Sequence, residues 1–270
     1  MKELLVRTVS GAVLVAVIVT CILVSPWAWA ALGLFVVVVG TFEMSRLQKI
    51  VSSSHVVAGM MLAVGAYAVA ALAGLDVIPK HWVLLELLFS MLPFLLALFS
   101  KTDDFKRIMA YCMGSMCYLS LPVALMVFMY RSDFFSVLAG SKLILLVFAL
   151  LWTNDTFAYL TGRLLGKHKL FERISPGKTI EGCIGGLLFT LVGVAVFSYY
   201  SEWLPMTAAI GTGLIAVVFG TLGDLCESML KRQAGVKDSG KLIPGHGGIL
   251  DRFDSVLFAV PFVFVFLLLL

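Results

Sequence analysis

The segment Ser228–Asp254 has the sequence SMLKRQAGVKDSGKLIPGHGGILDRFD and connects two apolar runs, Thr207–Gly223 and Phe253–Leu270. Each run approaches the roughly 20 apolar residues that an α-helix needs to cross the hydrocarbon core of a bilayer. Charge this dense is unusual between two membrane-length runs, and ionisable groups at such positions usually carry a function. The pattern therefore predicts that the segment handles a polyanionic substrate at a membrane surface.

The composition of the whole chain extends this interpretation. Of its 270 residues, 61% are hydrophobic and only 13% are charged, whereas a soluble domain has about 25% charged residues. We therefore predict an all-α, polytopic integral membrane protein with about nine transmembrane helices, in which Pro93 and Pro122 kink the fourth and fifth. The predicted spans are Thr8–Val24, Trp27–Met44, Val56–Leu75, Trp82–Phe99, Ile108–Tyr130, Leu143–Leu160, Ile180–Tyr200, Pro205–Gly223 and Phe253–Leu270.

The distribution of positive charge predicts the orientation. If the N-terminus is cytoplasmic, all but three of the 20 Lys and Arg residues lie in cytoplasmic segments, the exceptions being Lys80, Arg131 and Lys142. Because Lys and Arg concentrate on the cytoplasmic side of membranes, we predict a multi-pass protein of the inner cell membrane. Its N-terminus and its charged C-terminal loops then face the cytoplasm. The net charge of +4 does not indicate a nucleic-acid partner, because the positions of the cations matter more than their sum.

No soluble domain is evident, so we predict a single membrane domain over residues 1–270. Residues 1–140 are expected to be scaffold helices. Residues 141–270, which hold the charged motifs, are expected to supply the catalytic helices and the cytoplasmic loops.

The spacing of the charges that precede the loop predicts one functional helix face. At about 100° per residue, positions i, i+3, i+4, i+7 and i+8 share a face. These positions hold Asp224, Glu227, Ser228, Lys231 and Arg232. Carboxylates on this face can hold Mg²⁺ through their oxygens, and the cations one and two turns later can neutralise phosphate oxygens.

The loop Pro244–Gly248 contains few side chains and opens the final helix. Backbone N–H groups of such a loop can approach phosphate, and the helix N-terminus adds positive potential. Asp251 and Asp254 follow at i, i+3 in the first turns of that helix. With Asp224 they form a set of three carboxylates from two helices, which suits a metal-assisted displacement at phosphorus.

Two earlier polar motifs leave two interpretations open. Asn154 and Asp155 lie inside or near the end of the sixth predicted span, where a carboxylate costs about 2.5–3.5 kcal/mol. They either form a buried pair with Arg163 or another helix, or contact a metal or a cytidine. The turn Ser175–Thr179 delivers Lys178 and Thr179 to a helix start. It is either a phosphate cradle or a helix that Thr179 simply caps.

The segment Ser228–Asp254 resembles the signature of the phosphatidate cytidylyltransferases, or CDP-diacylglycerol synthases. The likeness rests on its Ser-x-x-Lys-Arg-x-x-x-x-Lys-Asp core and its His-Gly-Gly-x-x-Asp-Arg-x-Asp end. It extends less sharply back to Trp152, through Thr153-Asn154-Asp155 and Ser175–Thr179. The resemblance implies a Mg²⁺-dependent enzyme of phospholipid biosynthesis that converts CTP and phosphatidate into CDP-diacylglycerol and pyrophosphate at a membrane. It also implies a homodimer, for which residues 1–140 are the candidate contact, and it leaves a second, monovalent cation open.

From the residues and the resemblance together we predict the roles of individual side chains. The predicted catalytic residues are Asp224, Lys231, Arg232, Asp251 and Asp254. The predicted metal ligands are Asp224, Glu227, Asp251 and Asp254. The predicted substrate-binding residues are Asn154, Asp155, Ser175, Lys178, Thr179, Ser228, Lys237, Asp238, His246, Gly247, Gly248 and Arg252.

Two alternative functions are considered. Another CDP-dependent phospholipid head-group transferase would resemble an Asp-Gly-x-x-Ala-Arg run followed by spaced aspartates, which does not occur in this sequence. An ion-coupled membrane transporter with intramembrane carboxylates would place its charges near the bilayer midplane and use paired broken helices. In this chain the charges gather towards one face.

Overall fold

The computed structural model describes residues 2–100, 105–130, 140–201 and 203–270, with side chains from residue 5 onwards. Arg131, one of the charges that the predicted orientation uses, lies outside the described residues. The structure is 79% helical, which confirms the all-α prediction. The α-helices are α1 Lys2–Val24, α2 Pro26–Leu47, α3 Ser53–Gly74, α4 Leu85–Phe89, α5 Leu92–Leu98, α6 Phe105–Met113, α7 Leu121–Met129, α8 Ser141–Leu165, α9 Ile180–Tyr200, α10 Met206–Ala234 and α11 Leu250–Leu268.

Eight segments of the described chain are long and apolar enough to cross a membrane, which confirms a polytopic membrane protein. They are Leu5–Val24, Pro26–Leu47, Ser53–Gly74, Lys80–Leu98, Phe105–Met129, Ser141–Leu165, Ile180–Tyr200 and Met206–Ala234. The ninth predicted span does form a helix, α11. It is not among the eight, because Asp251, Arg252 and Asp254 fall in its first five residues.

The fourth and fifth spans are interrupted near the two prolines. A 3₁₀ turn, Lys80–Leu84, leads into α4, and α5 begins at Leu92 with Pro93 in its first turn. A π-helical segment, Gly114–Ser120, connects α6 to α7, which carries Pro122 near its start. A proline lacks the N–H of the helical ladder and crowds the preceding turn, so a π-helical turn is a physically reasonable way to accommodate it.

A short β-hairpin stands between α8 and α9. Its antiparallel strands are β1 Lys169–Phe171 and β2 Ser175–Thr179. The Lys169 ammonium donates to the Pro176 carbonyl oxygen at 2.7 Å, and the Arg232 Nε of α10 donates to the Ile174 carbonyl at 3.3 Å. The hairpin therefore delivers the segment Ser175–Thr179 to the start of α9 in a defined position.

The chain divides into two compact units. The first comprises Met1–Phe128 and Gln233–Phe253, and the second comprises Met129–Arg232 and Asp254–Leu270. The predicted halves, 1–140 and 141–270, differ from these units chiefly because Gln233–Phe253 groups with the N-terminal helices. The loop between α10 and α11, residues 235–249, therefore belongs to the first unit.

Small residues bring the helices of each unit close together, as is common in membranes. In the first unit, the Tyr67 hydroxyl of α3 donates to the Ala30 carbonyl of α2 at 2.7 Å, across the surface that Gly33 leaves open. In the second unit, a Cβ on Gly182 would lie 3.2 Å from the Gly162 Cα, so α8 and α9 approach closely. The second of these contacts forms one wall of the site described next.

Candidate active site

The polar face of α10 forms as its spacing predicts. The Ser228 hydroxyl donates to Asp224 Oδ1 at 3.2 Å, and the Lys231 ammonium lies 2.5 Å from Glu227 Oε2. Glu227 is fully buried, and Lys231 is only 8% exposed. An ion pair withdrawn this far from water requires close partners, because isolated buried charges are strongly unfavourable.

Three carboxylates from the last two helices converge. Each of Asp224, Glu227 and Asp254 offers an oxygen, and these oxygens lie within 4.8 Å of one another. The glycine at 223 makes this approach possible, since a Cβ there would lie 2.7 Å from the Asp254 carbonyl oxygen. Like charges at such distances repel, and oxygen donors are the ligands that Mg²⁺ and Ca²⁺ prefer. The donor set therefore fits a hard divalent cation.

Lys178 reaches this cluster from the end of β2. Its ammonium lies 2.6 Å from Asp224 Oδ2, and both side chains are about one-quarter to one-third exposed. Together with Lys231, it brings two positive charges to three negative ones. The sequence predicted the two motifs separately, and the ion pair shows that they meet.

The start of α9 is firmly capped. The Thr179 hydroxyl accepts a hydrogen bond from the Gly182 N–H at 3.1 Å, in the geometry of a helix N-cap. The Glu181 carboxylate accepts from the Lys167 and His168 N–H groups and lies 2.6 Å from His168 Nδ1. The capping interpretation of Thr179 is thus confirmed, and its position beside Lys178 keeps the phosphate-cradle interpretation open.

A cavity of about 430 Å³ lies against these groups, within the second unit. Asn154 is 3% exposed, and its Oδ1 has no hydrogen-bond partner in the part of the chain that the structure describes. Six of the residues that line the cavity are predicted site residues, and they come from three separate motifs. The lining residues are Asn154, Asp155, Ala158, Tyr159, Gly162, Arg163, Ser175, Gly177, Lys178, Thr179, Gly182, Cys183, Thr221 and Asp224.

Arg163 and Tyr159 were not predicted as site residues. The Arg163 Nη1 donates to the Tyr159 hydroxyl at 3.2 Å, and both line the cavity. The signal was present in the sequence, because Asp155, Tyr159 and Arg163 follow at i, i+4 and i+8 and therefore share a face of α8. From the sequence, Arg163 was considered only as a possible partner of Asn154 and Asp155.

Asp251 folds the loop that precedes it. Its Oδ2 accepts hydrogen bonds from the Ser239 N–H and the Gly248 N–H at 2.8 Å, and it shares the single Ser239 hydroxyl proton with Glu43, at 2.9 Å from each. The Gly248 N–H is thus engaged inside the first unit rather than presented to a ligand. Asp251 does not belong to the group of three converging carboxylates, so its part in metal binding stays a prediction.

Glu43 of α2 is the principal residue that the sequence analysis missed. It is 3% exposed, and it accepts hydrogen bonds from the Ile249 N–H, the Leu250 N–H and the Ser239 hydroxyl at 2.9–3.0 Å. These contacts hold the start of α11 against α2. The available signal was its position, because Glu43 is the only charged residue of the predicted span Trp27–Met44, and intramembrane carboxylates are seldom without a role.

The remaining loop residues also lie in the first unit. His246 Nδ1 lies 2.8 Å from the Ser10 hydroxyl of α1, which also donates to the Pro244 carbonyl. Gly245 and Gly247 adopt positive φ values of 75° and 83°, which favour glycine. Lys237, Asp238 and Arg252 are exposed. The predicted substrate-binding roles of these residues stay predictions.

Comparison with known proteins decides the family. Residues 5–270 match the cytidylyltransferase family. The chain belongs to the cytidylyltransferase family. This confirms the resemblance inferred from Ser228–Asp254, and it makes the chain a nucleotidyltransferase by family as well as a multi-pass membrane protein by its helices.

Three curated relatives of this cytidylyltransferase share one name. The phosphatidate cytidylyltransferase of Staphylococcus haemolyticus is 45% identical over 168 residues, which is 59% of each chain. That of Staphylococcus aureus strain COL is 40% identical over 195 residues, or 71% of this chain and 74% of the relative. That of Staphylococcus saprophyticus is 44% identical over 164 residues, again 59% of each chain. The matched regions thus span between about three-fifths and three-quarters of these relatives.

Proposed function

We propose that this cytidylyltransferase transfers the cytidylyl group of CTP to phosphatidate, giving CDP-diacylglycerol and pyrophosphate in phospholipid biosynthesis. The observation that carries the proposal is the cavity in which Lys178, Asp224 and Asn154 meet beside the converging carboxylates. The family match and the names of the relatives favour this function over a head-group transferase or an ion-coupled transporter.

The chain offers a consistent set of groups for a divalent metal. Asp224, Glu227 and Asp254 would hold Mg²⁺, and Asp251 remains a predicted further ligand. When bound, the ion would screen the negative charge of the phosphates during displacement. A second, monovalent cation remains an open part of the proposal.

The lysines would hold the triphosphate. Lys178 and Lys231 already lie at the carboxylates, at 2.6 Å and 2.5 Å. Both are positively charged hydrogen-bond donors, which stabilise phosphate oxygens. Ser175 and Thr179 line the same cavity, and we assign them to the phosphates as well, together with Arg232.

The buried amide of Asn154 is our assignment for the nucleotide base. Its Oδ1 lacks a hydrogen-bond partner among the described residues, and a buried polar atom without one carries a cost. The exocyclic amine of cytosine is a donor that would satisfy it. Asp155, which also lines the cavity, would accept a second hydrogen bond from the nucleoside.

The reaction needs orientation and charge stabilisation more than a base. A phosphate monoester has a second pKa of about 6, so the phosphatidate oxygen is largely ionised at neutral pH. It attacks the α-phosphorus of CTP, a new P–O bond forms, and the bond to the β-phosphate oxygen breaks with release of pyrophosphate. The fixed lysines can stabilise the charge that develops on the leaving oxygens.

We also propose that the site faces the cytoplasm of an inner cell membrane and that the enzyme is a homodimer. The first point is supported by the Lys and Arg distribution, which also makes the N-terminus cytoplasmic. The second rests on the family resemblance alone.

A direct assay tests the function. Purified enzyme with labelled CTP, phosphatidate and Mg²⁺ should produce chloroform-soluble label, and Asp224→Asn should lower this turnover by about 100-fold or more. Asp76→Asn, at an exposed loop position of positive φ that asparagine tolerates, is the matched control and should match the wild type. No product from the wild-type chain, or wild-type turnover by Asp224→Asn, would overturn the proposal.

A further inference from the structure

The pair formed by Arg163 and Tyr159 is the polar part of the cavity to which the proposed function assigns no role. The Arg163 guanidinium donates from Nη1 to the Tyr159 hydroxyl at 3.2 Å, and it has no carboxylate partner among the residues that the structure describes. An arginine carries five N–H donors in a planar fork. Most of these donors, and the proton of the Tyr159 hydroxyl, are therefore available to a ligand in the cavity.

A phosphate group is the ligand that this pair fits best. A guanidinium can bind phosphate through two parallel N–H···O bonds, which supply direction as well as charge. The Tyr159 hydroxyl accepts from Arg163, so its own proton can be donated to a further phosphate oxygen. Residues four positions apart are neighbours on a helix surface. Both side chains of α8 can therefore contact one anion.

The proposed reaction brings two phosphate-bearing substrates into one cavity, and two cations line that cavity among the described residues. Lys178 pairs with Asp224 at 2.6 Å and thus lies at the converging carboxylates, to which the triphosphate is assigned. Arg163 is the other cation. A phosphate monoester carries a charge of about −1.5 to −2 at neutral pH, and it repels a neighbouring triphosphate unless a cation compensates it. The second cation therefore matches the second substrate.

The position of Arg163 on α8 favours the lipid as its ligand. Ser141–Leu165 is a membrane-length segment of 25 residues, and it rises roughly 38 Å, more than the hydrocarbon core of about 30 Å. Arg163 lies in the last turn, which places it at the level of lipid phosphates. Leu164 and Leu165 follow it with exposed side chains, which contact acyl chains in a membrane. A lipid bound at Arg163 can thus keep its tails in the bilayer.

We propose that Arg163 and Tyr159 bind the phosphate monoester of the lipid substrate and hold it beside the triphosphate. The inference rests on the proposed function, and it assigns the two substrates to different cations, Arg163 for the lipid and Lys178 for the nucleotide. The pair also favours a monoester over the phosphodiesters of other membrane lipids, because a phosphodiester carries a single charge and offers fewer oxygens to the donors.

The experiment measures both Michaelis constants in mixed micelles. Phosphatidate is varied as a surface fraction at saturating CTP, and CTP is varied at saturating phosphatidate. Arg163→Gln should raise the KM for phosphatidate by about tenfold or more, the factor expected when a hydrogen bond to a charged group is lost. Tyr159→Phe should raise it by about threefold, because the arginine remains. The KM for CTP should stay within about twofold in both variants.

Arg173→Gln is the matched control. Arg173 is an exposed arginine between the two strands of the hairpin, and it does not line the cavity. Its replacement removes the same charge and should leave both Michaelis constants unchanged. If basic residues only attract anionic lipid in general, Arg163→Gln and Arg173→Gln will raise the KM for phosphatidate equally, and that result would overturn the inference.

The melting temperature of Arg163→Gln should match that of the wild type, because the side chain is exposed. Arg163→Lys is the second variant should Arg163→Gln fail to fold. It should also raise the KM for phosphatidate, since a lysine keeps the charge and loses the two-bond geometry.

Two results overturn the assignment while the wild-type chain still makes product: an unchanged KM for phosphatidate in a folded Arg163 variant, or a rise in the KM for CTP in its place. Absence of product from the wild-type chain overturns the proposed function and this inference with it.

Discussion

Two groups of carboxylates in this molecule have opposite surroundings. In the first unit, Glu43 and Asp251 receive hydrogen bonds from the chain itself, through the backbone of Gly248, Ile249 and Leu250 and through Ser239. In the second unit, Asp224, Glu227 and Asp254 face one another and two lysines. Burial of an acid therefore does not identify a catalytic residue. The groups around its oxygens are more informative. A carboxylate that accepts hydrogen bonds from backbone N–H groups stabilises the fold. Carboxylates that converge on one another leave negative charge that a bound cation can neutralise.

The largest expected effect comes from a variant in the second group of carboxylates, which we expect to bind a metal ion, whereas the first group is not expected to. Asp254→Asn should lower turnover by about 100-fold or more, because it removes a charged oxygen ligand at the proposed site of phosphate displacement. Thermal unfolding without divalent ions should not become easier, since the change relieves repulsion among the three carboxylates. Added Mg²⁺ should raise the Tm of the wild type and not of the variant. A variant that is destabilised without Mg²⁺, or fully active, would contradict this.

The next effect concerns the first unit. Glu43→Gln should lower the free energy of unfolding by about 1.5–3 kcal/mol, the range for a hydrogen bond to a charged group, because an amide cannot accept all three donors that Glu43 accepts. The Mg²⁺-dependent rise in Tm should persist. Denaturant unfolding in micelles measures the free energy, and thermal unfolding with and without Mg²⁺ measures the shift in Tm.

Glu86→Gln is the matched control for Glu43→Gln. Glu86 is another carboxylate within a span of the first unit, and its buried Oε1 accepts no hydrogen bond from the described residues. Its replacement should leave stability within about 0.5 kcal/mol. The distinction between the two units fails if Glu43→Gln abolishes the Mg²⁺ effect and keeps full stability.

The smallest effect tests the lysine that reaches Asp224. Lys178→Gln should raise the KM for CTP by about tenfold, since a charge-assisted contact to phosphate is lost, while stability changes little because the ion pair is partly exposed. Lys167→Gln, an exposed lysine near the same hairpin, should leave KM unchanged. An unaltered KM in Lys178→Gln would exclude Lys178 from the triphosphate site.

Much of the site was predictable where its residues share one helix. The face Asp224–Arg232 follows from a 3.6-residue period, and the Lys231–Glu227 pair is the i, i+4 contact that this period dictates. The helix cap formed by Thr179, and the position of Lys178 next to it, also follow from the order of residues in the turn 175–179. Arg163 was within reach of the same argument, since it shares a helix face with Asp155.

Contacts between distant segments were not predictable in this way. The sequence places Glu43 far from Ser239 and Leu250, and nothing local indicates that α2 holds the start of α11. Asp251 and Asp254 are indistinguishable by spacing. The structure separates them, since Asp251 bonds the loop 239–248 and Asp254 lies with Asp224 and Glu227.

The amino-acid sequence alone determined the membrane class, the polar face of α10 and the family, because hydropathy adds along the chain, helical period is local, and a long motif can be read in order. Only the tertiary structure decided which carboxylates meet, that Lys178 pairs with Asp224, and that residues of three separate motifs line one cavity. Those features depend on how closely glycine-lined helices approach, and that distance is set by packing between segments rather than by any one of them.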